Sequence, residues 1–509
     1  MTTVASLLTE LDATQGGLRR AVVVAADQLA FVAEQLFARR FRLALVAGVD
    51  SAGPMRVVYL FTSGPPDRRV EVTLPVDRAR CTIPSLAHLS FPASRFEREL
   101  HDLFGITPVG HPFLRRLVLH QHWPEHWHPM RHDAGPVPAM VDDADPFPFV
   151  EVQGAGVYEI PVGPVHAGLI EPGHFRFSVV GETILKMTAR LWFVHKGVER
   201  LFEGRDVHGG IELAERISGD TAVGHCLAYC LAVEDALGIA VPLRAFELRR
   251  ALLELERLYN HAADVGALCN DVGFGLANAR ALTLRERLLR LNRSVTGHRL
   301  LRGGIEPGGA RVLALPQLAE LCEIGEQFHE VVDLAMSQST VLDRFTGTAI
   351  LPLGDVEAMG VLGVVARASG GTLDARVAHP LDGMPTGFVP AHQLGGDVLA
   401  RFRVRVDEFD TSLELLADLV SRPGANSAEA SSLGTASPSR HGAGIVEGWR
   451  GSIVHHVELD DDRRLGRVKV VDPSFFNWPA LAVSLADTIV PDFPLANKSF
   501  GLSYAGNDL

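Results

Sequence analysis

Apolar positions follow two rhythms along this chain. Short β-rich runs at residues 43–46, 57–61 and 70–74 are separated by turn residues such as Gly53-Pro54 and Gly64-Pro65-Pro66. An apolar helical pattern precedes them at residues 22–37, and another follows at 94–103. These elements predict a small α+β domain over residues 1–133. Residues 134–150 are rich in Pro and Asp and predict an extended linker, because proline fixes φ and removes backbone donors. Short strands are expected at 157–160 and 175–179. From Gly181 the rhythm becomes helical: Ile184, Met187, Leu191, Val194, Val198 and Leu201 recur at steps of three and four. Similar periodicity covers 222–237, 248–265, 284–300 and 318–342, so five successive helices are expected to form a bundle. Residues 421–444, rich in Ser, Gly and Ala, predict an exposed loop. Residues 453–459 and 467–471 flank Asp460-Asp461-Asp462 and predict a hairpin. The fold class is therefore α+β: a small α+β domain, then a mainly helical domain over 151–509 with small β regions.

Composition narrows the function classes. The net charge of -13, without a long Lys/Arg run, argues against nucleic acid. No uninterrupted apolar stretch reaches the roughly 18 residues of a membrane span. The first residues carry Glu10 and Asp12 and lack a basic region before an apolar core, so no secretory signal is expected. The expected location is cytoplasmic, with any membrane contact made through partners. The five cysteines, Cys81, Cys226, Cys230, Cys269 and Cys322, form no Cys-x-x-Cys pair and support neither a disulfide framework nor an iron–sulfur cluster in this chain. Neither a Walker A loop nor a Gly-x-Gly-x-x-Gly after a strand occurs. The stretch His120, His122, His126, His128, His132 lacks cysteine and fits no usual zinc module.

Two groups of motifs carry a resemblance. Arg95-Phe96-Glu97-Arg98-Glu99-Leu100-His101-Asp102-Leu103-Phe104-Gly105-Ile106, with His128-Pro129-Met130-Arg131 behind it, resembles the C-type (thirty-kilodalton) subunit of complex I. Gly163-Pro164-Val165-His166, Glu171-Pro172-Gly173-His174, His195-Lys196-Gly197-Val198-Glu199, Glu215-Arg216-Ile217-Ser218-Gly219-Asp220-Thr221 and Asp472-Pro473-Ser474-Phe475-Phe476-Asn477-Trp478 follow in order. This set resembles the D-type subunit of complex I and the large subunits of formate-hydrogenlyase and hydrogenase-4 type enzymes, relatives of the NiFe hydrogenases.

The resemblance implies an oxidoreductase-complex subunit at the cytoplasmic face of the membrane. Its implied partners are an iron–sulfur small subunit and antiporter-like membrane subunits, with a quinone as candidate electron acceptor. In NiFe hydrogenases two Cys-x-x-Cys pairs hold the metals; by alignment their places fall on Ser218, Thr221, Ser503 and Gly506. Hydroxyls cannot replace soft thiolates, so no metal is expected at this site. His166 aligns with a histidine that approaches the quinone headgroup. Its other reading is an ordinary hydrogen-bonded loop histidine. Glu199 aligns with a proton-relaying glutamate, or forms a structural ion pair. His225 lines the former metal cavity, or is a satisfied core histidine. Asp220 titrates beside the lost ligands, or caps the helix that follows. Two further functional readings stand beside the redox-complex one: a non-catalytic interaction protein that keeps only the fold, and a working hydrogenase with an unusual metal site.

Overall fold

The computed structural model describes residues 3–50, 54–141, 147–167, 170–422 and 439–509. Helix α1 (Val4–Ala13) leads into β1 (Leu18–Val23), and α2 (Ala26–Ala38) connects it to β2 (Arg42–Val49), β3 (Arg56–Ser63) and β4 (Arg68–Pro75). The four strands form a sheet in the order β1-β4-β3-β2, with β1 parallel to β4 and the other pairs antiparallel. Helix α3 (Phe91–Phe104) carries the first signature motif. Pro92 in its first turn presets φ, and Gly105 at φ 69° ends it in the left-handed region. Val22 and Val23 close a strand instead of opening a helix, so the helix expected from residue 22 begins at Ala26.

Strands β5 (Val157–Val162), β6 (His174–Val180) and β7 (Thr183–Arg190) form an antiparallel sheet. This corrects the helix expected over 184–201. Val180 pairs with Thr183 across the two-residue turn Gly181-Glu182, and Gly181 takes φ 60°. The apolar spacing of Ile184, Met187 and Leu191 arises instead in a strand whose pairing includes a bulge, followed by an irregular segment and the short helix α4 (Val198–Phe202).

The bundle consists of α5 (Ala222–Leu237), α6 (Leu243–Asp271), α7 (Gly275–Thr296), α8 (Leu318–Met336) and α9 (Val398–Val420). The pattern over 318–342 breaks at Ser337-Gln338, and Ser339–Phe345 is a separate helix. Helix α9 was not anticipated. Its apolar face is interrupted by Arg401, Arg405 and Glu408, which are buried in ion pairs and hydrogen bonds.

Strands β8 (His441–Gly448), β9 (Gly451–Leu459) and β10 (Leu465–Val471) form the C-terminal sheet. The acidic hairpin is present as expected. The expected loop over 421–444 falls partly outside the described residues, and its end is the start of β8. Helix α5 lies directly on β8. A Cβ at Gly442 would stand 2.4 Å from the Ala232 carbonyl oxygen, and one at Gly444 2.0 Å from that of Ala228. Glycine on the strand and alanine on the helix permit this approach. The opposite face of the sheet meets the N-terminal domain: Arg69 donates to the Ala443 carbonyl and Arg467 to that of Gly48. After β10 come α10 (Pro473–Ser484) and α11 (Tyr504–Asn507). No helix among the described residues is long and apolar enough to cross a membrane.

Candidate functional site

Residues 218–221 precede α5, and Ser503 and Gly506 lie on the last helical turn of the chain. The fold brings them together. Ser218 Oγ and Ser503 Oγ are 2.9 Å apart, and the Gly506 amide donates to Ser503 Oγ at 2.9 Å. Ser218 donates to Asp220 Oδ1 at 2.9 Å, which leaves Ser503 as the donor to Ser218. The Ser503 amide in turn donates to Ser474 Oγ at 2.9 Å, tying α11 to α10.

Above these hydroxyls stands an ion pair. Arg450, in the turn between β8 and β9, donates to both carboxylate oxygens of Asp220, at 2.6 and 2.7 Å, and to Thr221 Oγ1 at 2.9 Å. Trp449 Nε1 donates to Thr221 Oγ1 at 3.2 Å and to the Asp220 carbonyl at 3.0 Å. Burial alone would raise the Asp220 pKa, but Arg450 and the Ser218 and Thr221 hydroxyls outweigh it and hold the carboxyl at about 2. Asp220 does not cap α5. That role belongs to Glu256 of α6, whose two carboxyl oxygens accept the Val223 and Gly224 amides at 2.7 and 3.0 Å.

His225 is fully buried one turn into α5. Its Nε2 lies 3.1 Å from Asp472 Oδ2, and its Nδ1 lies 3.1 Å from Nε2 of His455. Burial, followed by the neighbouring His225, pushes the His455 pKa well down, so His455 is neutral. His225 thus bridges a neutral imidazole at Nδ1 and the Asp472 carboxylate at Nε2. His225 therefore joins the site through Asp472, which lies against Gly506.

His166 joins it from the other side. Its Nε2 is 2.7 Å from the Gly173 carbonyl, and a Cβ on Gly173 would stand 2.7 Å from the Tyr504 ring. Glu171 accepts the Ala505 amide at 3.1 Å, so the His166 loop is seated on α11. His195 of the fourth motif pairs with Asp508 at 2.9 Å.

Glu199 makes the structural ion pair named beside the proton-relay expectation. Buried in α4, it meets Arg467 at 2.6 Å, Lys469 at 3.0 Å and the Val470 amide at 3.1 Å. Burial would raise its pKa, but Arg467 and Lys469 outweigh that and hold it at about 2. A carboxylate so stabilised stays charged near neutral pH, as in an ion pair. The histidines of 120–132 do not assemble either: His120 bonds the Leu191 carbonyl and His128 that of Asp102, each at 3.0 Å.

A nickel–iron centre does not fit these residues. The converging positions supply three hydroxyls and one glycine in place of four thiolates, and the hydroxyls are already bonded to one another, Asp220 and Arg450. A side chain at position 506 would also press on Asp472, with Cβ only 2.6 Å from its Cγ. The sequence motifs located Ser218, Thr221, Ser503 and His225. They missed Arg450, Trp449, Asp472 and Glu256 in their pairing roles. Of these, Asp472 alone stood in a quoted motif.

Along most of its length the chain is similar to known proteins. Residues 22–138 match the family described as respiratory-chain NADH dehydrogenase, 30 Kd subunit, and residues 271–432 match the 49 Kd subunit. Formate hydrogenlyase subunit 5 of Escherichia coli is 32% identical over 86% of this chain and 79% of its own length. Hydrogenase-4 component G of the same organism is 33% identical over 81% and 73%. In a structure of the membrane-bound sulfane sulfur reductase, an archaeal respiratory membrane complex, one chain matches with a TM-score of 0.63 and 25% identity. That match covers 70% of this chain and 99% of the other. The chain belongs to the complex I-related large-subunit family that joins 30 Kd and 49 Kd subunit domains and includes formate hydrogenlyase subunit 5 and hydrogenase-4 component G.

Proposed function

We propose that this chain is the large subunit of a membrane-associated oxidoreductase complex of the hydrogenase-4 and NADH-quinone oxidoreductase kind, and that it works without a nickel–iron centre of its own. The observation that carries this is the Asp220–Arg450 pair set over the Ser218–Ser503 hydrogen bond, at the point where the family's four metal-ligand positions converge. Hydroxyls, a carboxylate and a guanidinium carry no electrons. The clusters that deliver electrons therefore sit on an iron–sulfur small subunit, and antiporter-like subunits supply the membrane contact. A quinone is the candidate acceptor, approached through the His166 loop, whose Nε2 lies 2.7 Å from the Gly173 carbonyl oxygen.

The test is purification of the chain with its partners from gently solubilised membranes, with mass spectrometry and metal analysis on one sample. Iron without nickel, beside a small subunit and membrane subunits, is the expected result. Stoichiometric nickel would overturn the metal-free reading. A lone chain without partners would favour an interaction protein that keeps the fold alone.

A further inference from the structure

Where the N-terminal sheet faces the C-terminal one, three side chains from distant parts of the chain converge. Glu71 stands on β4, paired with Leu60 on one side and Ala21 on the other. His441 opens β8 and His456 lies on β9. His441 pairs with Glu458 and Ala443 with His456, so the two histidines are diagonal neighbours on one face of the sheet. Glu71 Oε2 is 3.3 Å from His441 Nδ1 and 3.2 Å from His456 Nε2. The three ligand atoms lie within 4.8 Å of one another, the one such trio of His, Cys, Asp or Glu among the described residues.

An ordinary histidine–carboxylate hydrogen bond is the competing account, and both contacts are still within its range. Elsewhere in the chain such contacts run from 2.6 Å at His379–Asp67 through 2.8 Å at His261–Glu408 to 3.1 Å at His225–Asp472. Both contacts at Glu71 are longer, and both imidazoles address the same oxygen. Around a tetrahedral zinc ion with bonds of about 2.0–2.1 Å, neighbouring ligand atoms stand about 3.3 Å apart. The two separations match edges of that tetrahedron, and the third, between the two histidine nitrogens, is at most 4.8 Å.

The surroundings suit a divalent cation. The His456 side chain is fully buried, Glu71 is 15% exposed and His441 is 41% exposed. Glu458 is paired with Arg56, and Asp235 accepts the Ala443 amide while pairing with Arg19. Two imidazoles and one carboxylate form a borderline donor set that favours zinc over magnesium or calcium.

We infer that Glu71, His441 and His456 form a zinc site that staples the N-terminal domain to the C-terminal sheet. The site shares no residue with the Ser218–Ser503 cluster, so it stands or falls separately from the redox reading. The test uses the full chain stripped of metal and titrated with cobalt(II), then with zinc. The expected result is one equivalent of cobalt with the visible absorption of a tetrahedral N/O site, displaced by zinc, and a zinc-dependent rise in Tm. Glu71→Gln and His441→Ala each abolish both signals, while His126→Ala, in the other histidine-rich stretch, leaves them unchanged. His441 is partly exposed at a strand end, so its variant keeps the wild-type circular dichroism and metal-free Tm. Absence of the tetrahedral signal in the wild type, or its survival in both ligand variants, would overturn the proposal.

Discussion

Arg450 holds Asp220 by two parallel hydrogen bonds, 2.6 and 2.7 Å long, across 230 residues of sequence. Such fork-to-fork pairing fixes direction as well as charge. It locks the turn between β8 and β9 onto the start of α5, at the level of the Ser218 and Thr221 hydroxyls.

Removing the guanidinium leaves the carboxylate beside two hydroxyls and no cation. The Asp220 side chain retains 40% of its exposure, so solvent screens part of the loss. Arg450→Met is expected to destabilise the fold by about 1–3 kcal/mol in urea unfolding at pH 7. The folded Asp220 pKa of about 2 lies below its unfolded value of about 3.9. The stability it contributes is therefore complete above pH ~4 and is lost as pH falls through about 2. In Arg450→Met the carboxyl titrates closer to the unfolded value, and an unchanged titration by NMR would reject the pairing as its cause.

Glu199 gives a stronger effect, because Arg467 and Lys469 are both buried with it. Glu199→Gln leaves two buried cations with Glu99 as their remaining carboxylate partner. The expected loss is about 3–5 kcal/mol. A proton relay predicts the opposite division, with stability kept and turnover lost. Unfolding and activity measured on the same variant decide between them.

The sequence reveals most of what depends on local rhythm. The strands at 43–46, 57–61 and 70–74, the helices α5 and α6 and the acidic hairpin all lie where apolar spacing puts them. Residues 184–201 mislead because a bulged strand and a following loop mimic helical spacing over six positions. Helix α9 is hidden because its inward face carries Arg401, Arg405 and Glu408, whose burial depends on partners from other segments. The site divides in the same way. Ser218 and Ser503 are readable as replaced ligands, but Arg450 and Glu256 gain their roles only through the packing of β8, β9 and α6 on α5. The trio of Glu71, His441 and His456 has no local spacing at all.

Glu256 predicts a pH dependence of the opposite sign. Burial raises its pKa to about 8, although the Val223 and Gly224 amides pull it down. A folded pKa above the unfolded value of about 4.3 means that the folded state holds the extra proton between those values. Its contribution to stability therefore declines from pH ~4 to pH 8. Glu256→Gln is expected to remove that part of the decline, so the gap between variant and wild-type Tm should close or reverse toward pH 8. A gap constant over this range would show that Glu256 is already ionised in the fold.

Gly506 tests how tightly the converging positions are packed. An added Cβ would lie 2.6 Å from Cγ and 2.7 Å from Oδ2 of Asp472. Asp472 cannot step aside freely, because its Oδ1 accepts the Ser474 amide at 2.7 Å and its Oδ2 meets His225 at 3.1 Å. Gly506→Ala should therefore cost about 1–3 kcal/mol as overpacking. Truncating the wall relieves the clash, so Asp472→Ala with Gly506→Ala should cost less than the sum of the single variants, with a coupling of about 1 kcal/mol. Chemical unfolding of the four proteins measures this directly. Strict additivity would mean that α11 shifts to admit the methyl group. Coupling would mean that position 506 excludes a cysteine side chain on steric grounds, whatever the supply of nickel.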